Sequence, residues 1–524
     1  MKHTAKLFLG ICFWIFALAV DAQPAGEWMW IHGSNVANSS GNYGVQGIPS
    51  PTNDPPAAYE PSEWADLNGN FWLCESNVLW KYDPITNEWT WMKGNPSDTG
   101  SYGIQGIPSP SNVPSRRVTC SASWTDLNNN LWLFGGQGPG VGSLNDLWKY
   151  DISTNEWVWM KGSNTGNALG VYGTLGVPDT ANTPGGRWET SAAWTDNSNN
   201  LWLFGGYEIN HGYFNDLWRY NISTNTWTWM KGSQNVNQVS VYGIKGVESP
   251  SNTPGARQAY ARWKDNNGNL WLFGGYIIND VWRYNTATNN WTWMAGDSTY
   301  LTTGVYGIKC IYSDINKPGA RFENRASYVD ANGNFWTFGG TNANSFARVW
   351  NDLWYYNVTT NQWIWESGDS VSNSIGNWGV QGVPSPANKP NGRAGAVGWT
   401  DNNGHLYLFG GATTGFSTRY NDLWKFTIDH ECEIVSNVSS IQNIKSEITI
   451  YPNPTKSILT LATSSTNPLL GIIIYGTDGR KLREEILSSK SAKVELDLSG
   501  LAAGVYFLDC AGQEGREMVK VVKY

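Results

Sequence analysis

Leu201-Trp-Leu-Phe-Gly-Gly206, Asn215-Asp-Leu-Trp218 and Trp227-Thr-Trp229 follow one another near the middle of the 524-residue chain, and together they decide its fold. Each piece recurs along the chain at a period of roughly 60 to 72 residues, which is typical of a repeat architecture. Copies or variants of the first piece begin at Phe71, Leu131, Leu270, Phe335 and Leu406; those of the second end at Trp80, Trp148, Trp282, Trp354 and Trp424; Trp-x-Trp begins also at Trp28, Trp89, Trp157, Trp291 and Trp363.

Each repeat is predicted to form four antiparallel strands, here called A to D. Strand A follows a Pro-x-x-Arg element, strand B ends in Phe-Gly-Gly, strand C is Asp-Leu-Trp and strand D is Trp-x-Trp. Turns such as Asp265-Asn-Asn-Gly268 separate strands A and B, and an Asn-Gly turn between alternating apolar residues is a strong hairpin signal. The alternation places the tryptophans on the faces of small sheets.

The order of the pieces predicts a closed ring. The last repeat has strands A to C but no Trp-x-Trp, whereas Trp28 to Trp30 stand alone before the first strand A. If this first strand pairs with the strand ending near Phe426, it completes the sixth sheet and removes the exposed edges. We therefore predict an all-β, six-bladed propeller closed by an N-terminal strand.

These motifs resemble the kelch family over about residues 26 to 430: a Gly-Gly after strand B, an aromatic residue on strand C and a later tryptophan. The resemblance implies the propeller fold and says little about activity, because kelch propellers include enzymes, sugar-processing proteins and binding scaffolds. Copper-radical oxidases with a galactose oxidase-like central domain belong to the family, but we find no paired histidine ligands here. We expect no catalytic residue, no metal and no cofactor.

The two ends of the chain predict export. Lys2, Lys6 and the apolar run 7–20 are typical of a signal peptide cut after Ala22. After residues 23–430 for the propeller and a linker at 431–445, residues 446–524 contain Tyr451-Pro-Asn-Pro454, a Gly-rich turn and Gly504-Val-Tyr-Phe-Leu508. They are similar to the type A sorting domain of type IX secretion in Bacteroidetes-type bacteria. That resemblance implies a small β-sandwich, contact with the secretion machinery, and a secreted or outer-surface location reached through the periplasm.

Composition excludes several partners. The net charge is −8 and no basic run is present, so we expect no nucleic-acid ligand. No apolar stretch beyond the signal peptide is long enough to span a membrane. Five cysteines remain after the predicted cleavage, an odd number without paired spacing, which argues against a disulfide framework or a zinc site. Whether Cys74 and Cys120 pair is left open.

The connections between strands B and C vary most among the repeats, whereas the A–B and C–D turns are nearly uniform. Function is commonly carried by variable loops on a rigid scaffold, so we expect the ligand on the B–C face. Trp188 and Trp350 have no counterpart among the recurrent tryptophans. Such a tryptophan suits stacking on a sugar or a partner protein, although Trp350 could equally be filler under its loop.

Just after the repeat arginine, alternate repeats carry an aromatic residue followed by glutamate: Tyr59-Glu60, Trp188-Glu189 and Phe322-Glu323. The pattern is explained either by alternating large and small packing between blades or by an acidic, aromatic funnel for a cation, a sugar or a basic peptide. We predict a ligand site made of these six residues with Trp350 on its rim. We expect a binding or adhesion protein for a glycan or a protein; the alternative is an extracellular sugar-processing enzyme with a carboxylate site in the funnel.

A further expectation concerns the repeat arginine itself. An aspartate at the start of strand C accompanies it in five repeats, and both are replaced together in the first repeat, by Ala58 and Val78. We predict a mainly structural ion pair in each of the other five. The predicted pairs are Arg117 with Asp146, Arg187 with Asp216, Arg257 with Asp280, Arg321 with Asp352, and Arg393 with Asp422.

Overall fold

The structure, a computed structural model, describes residue 23 and residues 26–117, 121–190, 193–342, 345–429, 448–463, 468–476, 480–512 and 516–524. The predicted signal peptide and the predicted linker lie outside these residues. The described strands between Trp28 and Phe426 form six four-stranded antiparallel sheets, which we call blades one to six. The described part of the chain contains no helix, and therefore none that is long and apolar enough to cross a membrane.

The strands of blades one to three lie in chain order. Blade one contains β2 (Ser62–Ala65), β3 (Phe71–Glu75), β4 (Val78–Asp83) and β5 (Glu88–Lys93). Blade two contains β6 (Ala122–Thr125), β7 (Asn130–Phe134), β10 (Leu147–Asp151) and β11 (Glu156–Lys161), with the short hairpin β8 (Gln137–Gly138) and β9 (Gly142–Ser143) in its B–C loop. Blade three contains β12 (Ala193–Thr195), β13 (Asn200–Glu208), β14 (Gly212–Asn221) and β15 (Thr226–Lys231).

Blades four to six repeat this arrangement, except for the outer strand of the last blade. Blade four contains β16 (Ala261–Lys264), β17 (Leu270–Phe273), β18 (Val281–Asn285) and β19 (Asn290–Ala295). Blade five contains β20 (Ser327–Val329), β21 (Phe335–Asn342), β22 (Ser345–Asn357) and β23 (Gln362–Ser367). Blade six contains β24 (Val397–Thr400), β25 (Leu406–Phe409), β26 (Leu423–Phe426) and the N-terminal strand β1 (Trp28–His32).

The predicted closure strand pairs as expected. β1 runs antiparallel to β26, with Trp28 opposite Phe426 and Trp30 opposite Trp424. Trp28 is buried and its ring also meets Phe338 of blade five at a centroid distance of 5.6 Å. The A strands contact one another in a closed cycle, from β2 through β6, β12, β16, β20 and β24 back to β2. These strands surround the axis, and their first residues lie at the end of the ring that carries the B–C loops.

A buried ion pair fastens strand A to strand C in blades two to six. The Arg187 guanidinium donates to both carboxylate oxygens of Asp216, at 2.6 and 2.9 Å, and Asp216 also accepts from the Trp218 indole and the Tyr172 hydroxyl. The other four predicted pairs are formed as well and are equally buried, so the prediction is confirmed. Tyr172 lies in the connection between strand D of blade two and strand A of blade three, and its hydroxyl completes the hydrogen bonding of the buried Asp216 carboxylate, as a buried charge requires.

Blade one lacks this ion pair. Ala58 and Val78 are buried at the corresponding positions, and the Trp80 indole N–H has no acceptor among the described residues. Elsewhere the same indole donates to the aspartate, for example Trp148 to Asp146 at 2.7 Å. The two replacements therefore remove both charges together and leave one neutral donor without its acceptor.

The A–B turns are hairpins closed by their aspartates. Asp126 accepts from the backbone N–H groups of Asn128 and Asn130, the Asn130 amide and the Trp132 indole, all within 3.1 Å. Both carboxylate oxygens of Asp126 are thus engaged by donors within the turn itself. The sequence interpretation of the turns as plain hairpins agrees with this geometry.

The cysteines differ in part from expectation. Cys74 is a buried free thiol whose pKa is raised to about 12 by burial, so the pairing with Cys120 left open above does not form. Cys510 is also buried and free, whereas Cys310 is in a disulfide. The odd count and irregular spacing could not reveal a single disulfide, because pairing depends on distances that the fold sets.

The C-terminal region forms two sheets. One contains β27 (Thr449–Tyr451), β28 (Ile458–Ala462) and β31 (Lys493–Asp497); the other contains β29 (Leu469–Tyr475), β30 (Lys481–Ser491), β32 (Gly504–Gly512) and β33 (Arg516–Lys523). Alternate residues of these strands, such as Leu459, Leu461, Ile472 and Ile474, share one buried core. Two sheets that share one core form the small β-sandwich that the resemblance implies.

Candidate functional site

The second residue after the repeat arginine has a left-handed backbone in every blade where this position is described. Its φ is 53° at Glu60, 52° at Glu189, 49° at Ala259, 58° at Glu323 and 64° at Gly395. A left-handed backbone is uncommon for residues other than glycine, so it must be imposed by the surroundings. Because this residue directly precedes strand A, its side chain does not follow the alternation of side-chain directions within that strand.

Hydrogen bonds between blades impose this conformation. The backbone N–H of Glu60 donates to the Gly395 carbonyl at 2.9 Å, and that of Gly395 donates to the Glu323 carbonyl at 2.9 Å. The series continues from Glu323 to Ala259 at 2.8 Å and from Ala259 to Glu189 at 3.0 Å. We call these five residues the peptide ring; it joins neighbouring blades at the loop end of the axis.

The three glutamates of the peptide ring point toward one another. One carboxylate oxygen from each of Glu60, Glu189 and Glu323 lies within 4.8 Å of the other two. The residues are only 2%, 7% and 2% exposed. Burial, followed by the negative charge of Glu60, raises the pKa of both Glu189 and Glu323 well above the usual value. The three carboxylates come from alternate blades, as the sequence pattern predicted.

Most oxygens of this carboxylate cluster lack a hydrogen-bond donor. Among the described residues, neither oxygen of Glu60 has a partner, and Oε2 of Glu189 and of Glu323 also has none. Buried polar atoms are otherwise almost always paired, because leaving one unpaired costs about 1–3 kcal/mol. Four of the six carboxylate oxygens thus have no donor from outside the cluster, whereas Glu323 also lies within hydrogen-bond reach of the Tyr59 hydroxyl and of Glu60.

A second charged group lies deeper along the A strands. Glu63 of blade one accepts from Arg262 of blade four at 3.0 Å and from Arg325 of blade five at 2.9 Å. Arg325 also donates to the Pro61 carbonyl at 3.1 Å. Glu63 and Arg325 are buried. This ion cluster crosses the axis and separates the three glutamates from the turn end.

The aromatic residues of the predicted site pair with or pack on the B–C loops, and the Tyr59 hydroxyl also lies within hydrogen-bond reach of Glu323. Tyr59 packs on Phe416 of a B–C loop at a ring distance of 4.9 Å, and Trp188 packs on Tyr207 at 5.2 Å. Trp188 and Tyr207 also exchange two backbone hydrogen bonds of 2.9 Å, and Phe322 pairs with Thr341 in the same way at 2.8 Å. The glutamates face the axis, and the aromatic residues support the B–C loops.

Trp350 does have a place in the repeat, contrary to the sequence expectation. It precedes Asn351-Asp352, and the same position holds Leu144, Phe214, Ile278 and Tyr420 in other blades. The Arg321 guanidinium lies 5.2 Å from the Trp350 ring centroid, as Arg187 lies 4.1 Å from that of Phe214. The sequence did not reveal this position because its residue type changes in each blade, although in blades three, five and six an aromatic ring there covers the buried arginine.

Trp350 lines an off-axis cavity of about 680 Å³ on the B–C face, between the D–A linkers on either side of blade five. Arg348, Asn342, Tyr306 and Ser372 also line it. None of the six residues Tyr59, Glu60, Trp188, Glu189, Phe322 and Glu323 does. The structure therefore divides the predicted site into a buried axial cluster and a separate open cavity beside Trp350.

The corresponding place in blade three holds a smaller cavity, of about 280 Å³. Phe214 occupies the position of Trp350, and Glu208 and His211 line the wall, joined by a 2.5 Å contact. A third cavity, of about 370 Å³, lies at the turn end of the axis and is lined by Glu63, Arg262 and Tyr328 among others. The variable loops predict the main pocket on the B–C face rather than on the turn face, and the cavity of about 680 Å³ beside Trp350 does lie on the B–C face.

Two features of the site were missed from the sequence. The left-handed ring had one signal, Gly395, because a glycine in a repeat position held elsewhere by glutamate, threonine or alanine indicates positive φ. The axial ion cluster also had one: Glu63, Arg262 and Arg325 are charged residues in or beside the short A strands, where charge is costly unless paired.

Comparisons with known proteins agree with this architecture. Residues 76–295 match the family model described as KLHDC2/KLHL20/DRC7 Kelch-repeats domain, and residues 449–524 match the one described as Secretion system C-terminal sorting domain. Human Kelch domain-containing protein 3 is 25% identical over 247 residues, 45% of this chain and 51% of that protein. Mouse Multiple epidermal growth factor-like domains protein 8 is 27% identical over 190 residues, 35% of this chain and 6% of that protein.

The chain thus spans about half the length of one of these relatives and a small part of the other. Among solved structures, one titled "Structure of YjhT" superposes with a TM-score of 0.43 at 14% identity, over 73% of this chain and 95% of that one.

The protein is a kelch-repeat β-propeller that carries a type IX secretion sorting domain. The sorting domain directs export by the type IX secretion machinery, to the cell surface or the medium.

Proposed function

We propose that this exported propeller is a glycan-binding protein and that its ligand occupies the cavity beside Trp350. The observation that carries the proposal is a tryptophan held in place by a buried arginine at the wall of an open cavity on the variable face. A volume of about 680 Å³ falls in the range of ordinary ligand pockets and has room for a mono- or disaccharide unit.

The lining of this cavity suits a sugar. The Trp350 ring is partly buried and fixed by Arg321, so stacking a sugar ring on it needs little ordering of the protein. The Asn342 Oδ1 atom is buried without a donor among the described residues, and a sugar hydroxyl would supply one. The exposed Arg348 and the hydroxyl groups of Ser370 and Ser372 add donors at the wall.

The alternative, a sugar-processing enzyme working through the axial carboxylates, has less support. The three glutamates are almost fully buried and do not line the cavity beside Trp350. A general acid must come within hydrogen-bond reach of the bond it cleaves. A sugar bound in the cavity of blade five would not be within reach of the acidic groups on the axis.

The test is a glycan array with the mature protein, followed by titration of the best glycan against Trp350→Leu. Leucine is native in the same position of blade two, at Leu144, so the fold accommodates it. We expect the affinity to fall by a factor of about 5–30, the equivalent of about 1–2 kcal/mol of lost stacking.

The matched control is Tyr420→Leu, which removes the aromatic ring that covers Arg393 in blade six. It should leave glycan affinity unchanged. Equal loss in both variants would contradict the assignment of the site. Absence of any glycan ligand together with saturable capture of a purified surface protein would favour the protein-binding alternative, and turnover of a sugar panel would favour the enzyme.

A further inference from the structure

We propose that Glu60, Glu189 and Glu323 bind one divalent cation, of the size of Ca²⁺, on the propeller axis. This site is separate from the cavity beside Trp350 and goes beyond the proposed glycan-binding function. It would join blades one, three and five through a single ion at the loop end of the ring.

The geometry of the three carboxylates fits an ion of this size. Oxygen ligands lie about 2.3–2.6 Å from Ca²⁺, so two oxygens on opposite sides of the ion are up to about 5 Å apart. The three oxygens here lie within 4.8 Å of one another. Mg²⁺ holds its ligands at about 2.0–2.1 Å in a strict octahedron, so it sets a tighter limit on the positions of the same three oxygens than Ca²⁺ does.

The scarcity of hydrogen-bond donors in the cluster supports the binding of a cation there. The buried carboxylate of Asp216 is well supplied with donors, since it accepts from Arg187, Trp218 and Tyr172. Glu60 is just as inaccessible, at 2% exposure, yet among the described residues neither of its oxygens has a donor from outside the cluster. Its carboxylate is directed at the oxygens of Glu189 and Glu323. A cation between the three would compensate all of them at once.

The charges around the cluster leave the site acidic. Arg325 is the cationic side chain whose charge lowers the pKa of both Glu189 and Glu323. Its hydrogen bonds, however, go to Glu63 and to the Pro61 carbonyl. Three bidentate carboxylates can supply six oxygens, the lower end of the coordination number of Ca²⁺. The positions between them in the peptide ring carry the small residues Ala259 and Gly395, which leave the axis to the three glutamates.

The experiment uses the full mature chain and measures metal content and thermal stability. After equilibration with Ca²⁺ and gel filtration, elemental analysis should find about one Ca²⁺ per chain, and the melting temperature should fall on adding EDTA and return with excess Ca²⁺. Glu189→Gln and Glu323→Gln should each weaken Ca²⁺ binding by about tenfold or more, since affinity follows the number of charged ligands.

Glu208→Gln is the matched control, because Glu208 is a buried glutamate on the same face of blade three but outside the cluster. It should bind Ca²⁺ as the parent does. Glycan binding at the cavity beside Trp350 is measured in parallel, so that failure of either proposal can be recognised without the other.

If the glutamine variants do not fold, measurements of metal content and melting temperature on the parent chain still test the proposal. A metal-free parent whose melting temperature is the same in Ca²⁺, Mg²⁺, Mn²⁺ and EDTA would overturn the proposal; the three carboxylates would then be held together by shared protons. Equal loss of Ca²⁺ in Glu208→Gln and in the cluster variants would overturn it as well.

Discussion

At the scale of single residues, the peptide ring shows how one backbone angle directs a side chain. Glu60, Glu189 and Glu323 face the axis because a left-handed residue breaks the alternation that would otherwise determine which side chain points inward. Gly395 occupies the same position without a side chain. A Cβ atom there would lie 2.5 Å from the ring of Tyr59 and 2.9 Å from Glu60 Cγ.

Gly395→Ala tests this crowding. We expect a loss of stability greater than the roughly 1–2 kcal/mol of a left-handed alanine alone, because the Tyr59 ring must also move. The measurement is chemical denaturation of the purified protein. Gly404→Ala is the control: its φ is 84°, and nothing lies within 4 Å of the added Cβ atom. Equal losses in the two variants would show that the Tyr59 contact is unimportant.

At the scale of strands, each blade is held by contacts between elements that are distant in the chain. The Arg–Asp pairs connect the start of strand A to the start of strand C. In blades two to five a tyrosine of the preceding inter-blade connection also donates to the aspartate, as Tyr172 does to Asp216. Blade one has no such pair, and the small apolar residues Ala58 and Val78 are buried in its place. Both partners are lost together there because one buried charge without the other is more costly than neither.

This reasoning predicts the outcome of a double-mutant cycle in blade three. Asp216→Val alone should destabilise the protein by about 3–5 kcal/mol, because it leaves the Arg187 guanidinium buried without its counter-ion. Combining it with Arg187→Ala should recover part of that loss, as blade one indicates. Urea denaturation of the two single variants and the double variant gives the coupling energy. A double variant that loses the sum of the two single losses would refute the ion-pair explanation.

At the scale of the whole molecule, the propeller and the sorting domain have separate cores. The cluster of buried residues from Ile448 to Val521 includes no propeller residue, and the propeller clusters include none from the C-terminal region. Closure by β1 makes the propeller a complete ring within residues 28–426. The propeller should therefore fold without the sorting domain but should not be exported without it.

A chain ending at Asp429 tests this separation. In a host with type IX secretion it should accumulate in the periplasm, whereas the full chain reaches the surface or the medium. The purified short chain should keep the melting temperature of the propeller to within about 2–4 °C, the shift that 1 kcal/mol produces in a large domain. Cell fractionation and calorimetry provide the two measurements. An unfolded short chain would show that the sorting domain supports the ring.

The sequence by itself determined the strand repeats, the pairing of Trp28 with Phe426, the five Arg–Asp pairs and the placement of the three glutamates in alternate blades. These features follow from the repeat, since whatever recurs at one position in each copy must recur around the ring. Only the tertiary structure decided which way side chains point and what they cover. The glutamates turn inward because bonds between blades impose a left-handed backbone at Glu60 and its counterparts. Trp350 proved to cover a buried arginine beside a cavity, because contact between linkers and loops from separate repeats creates both.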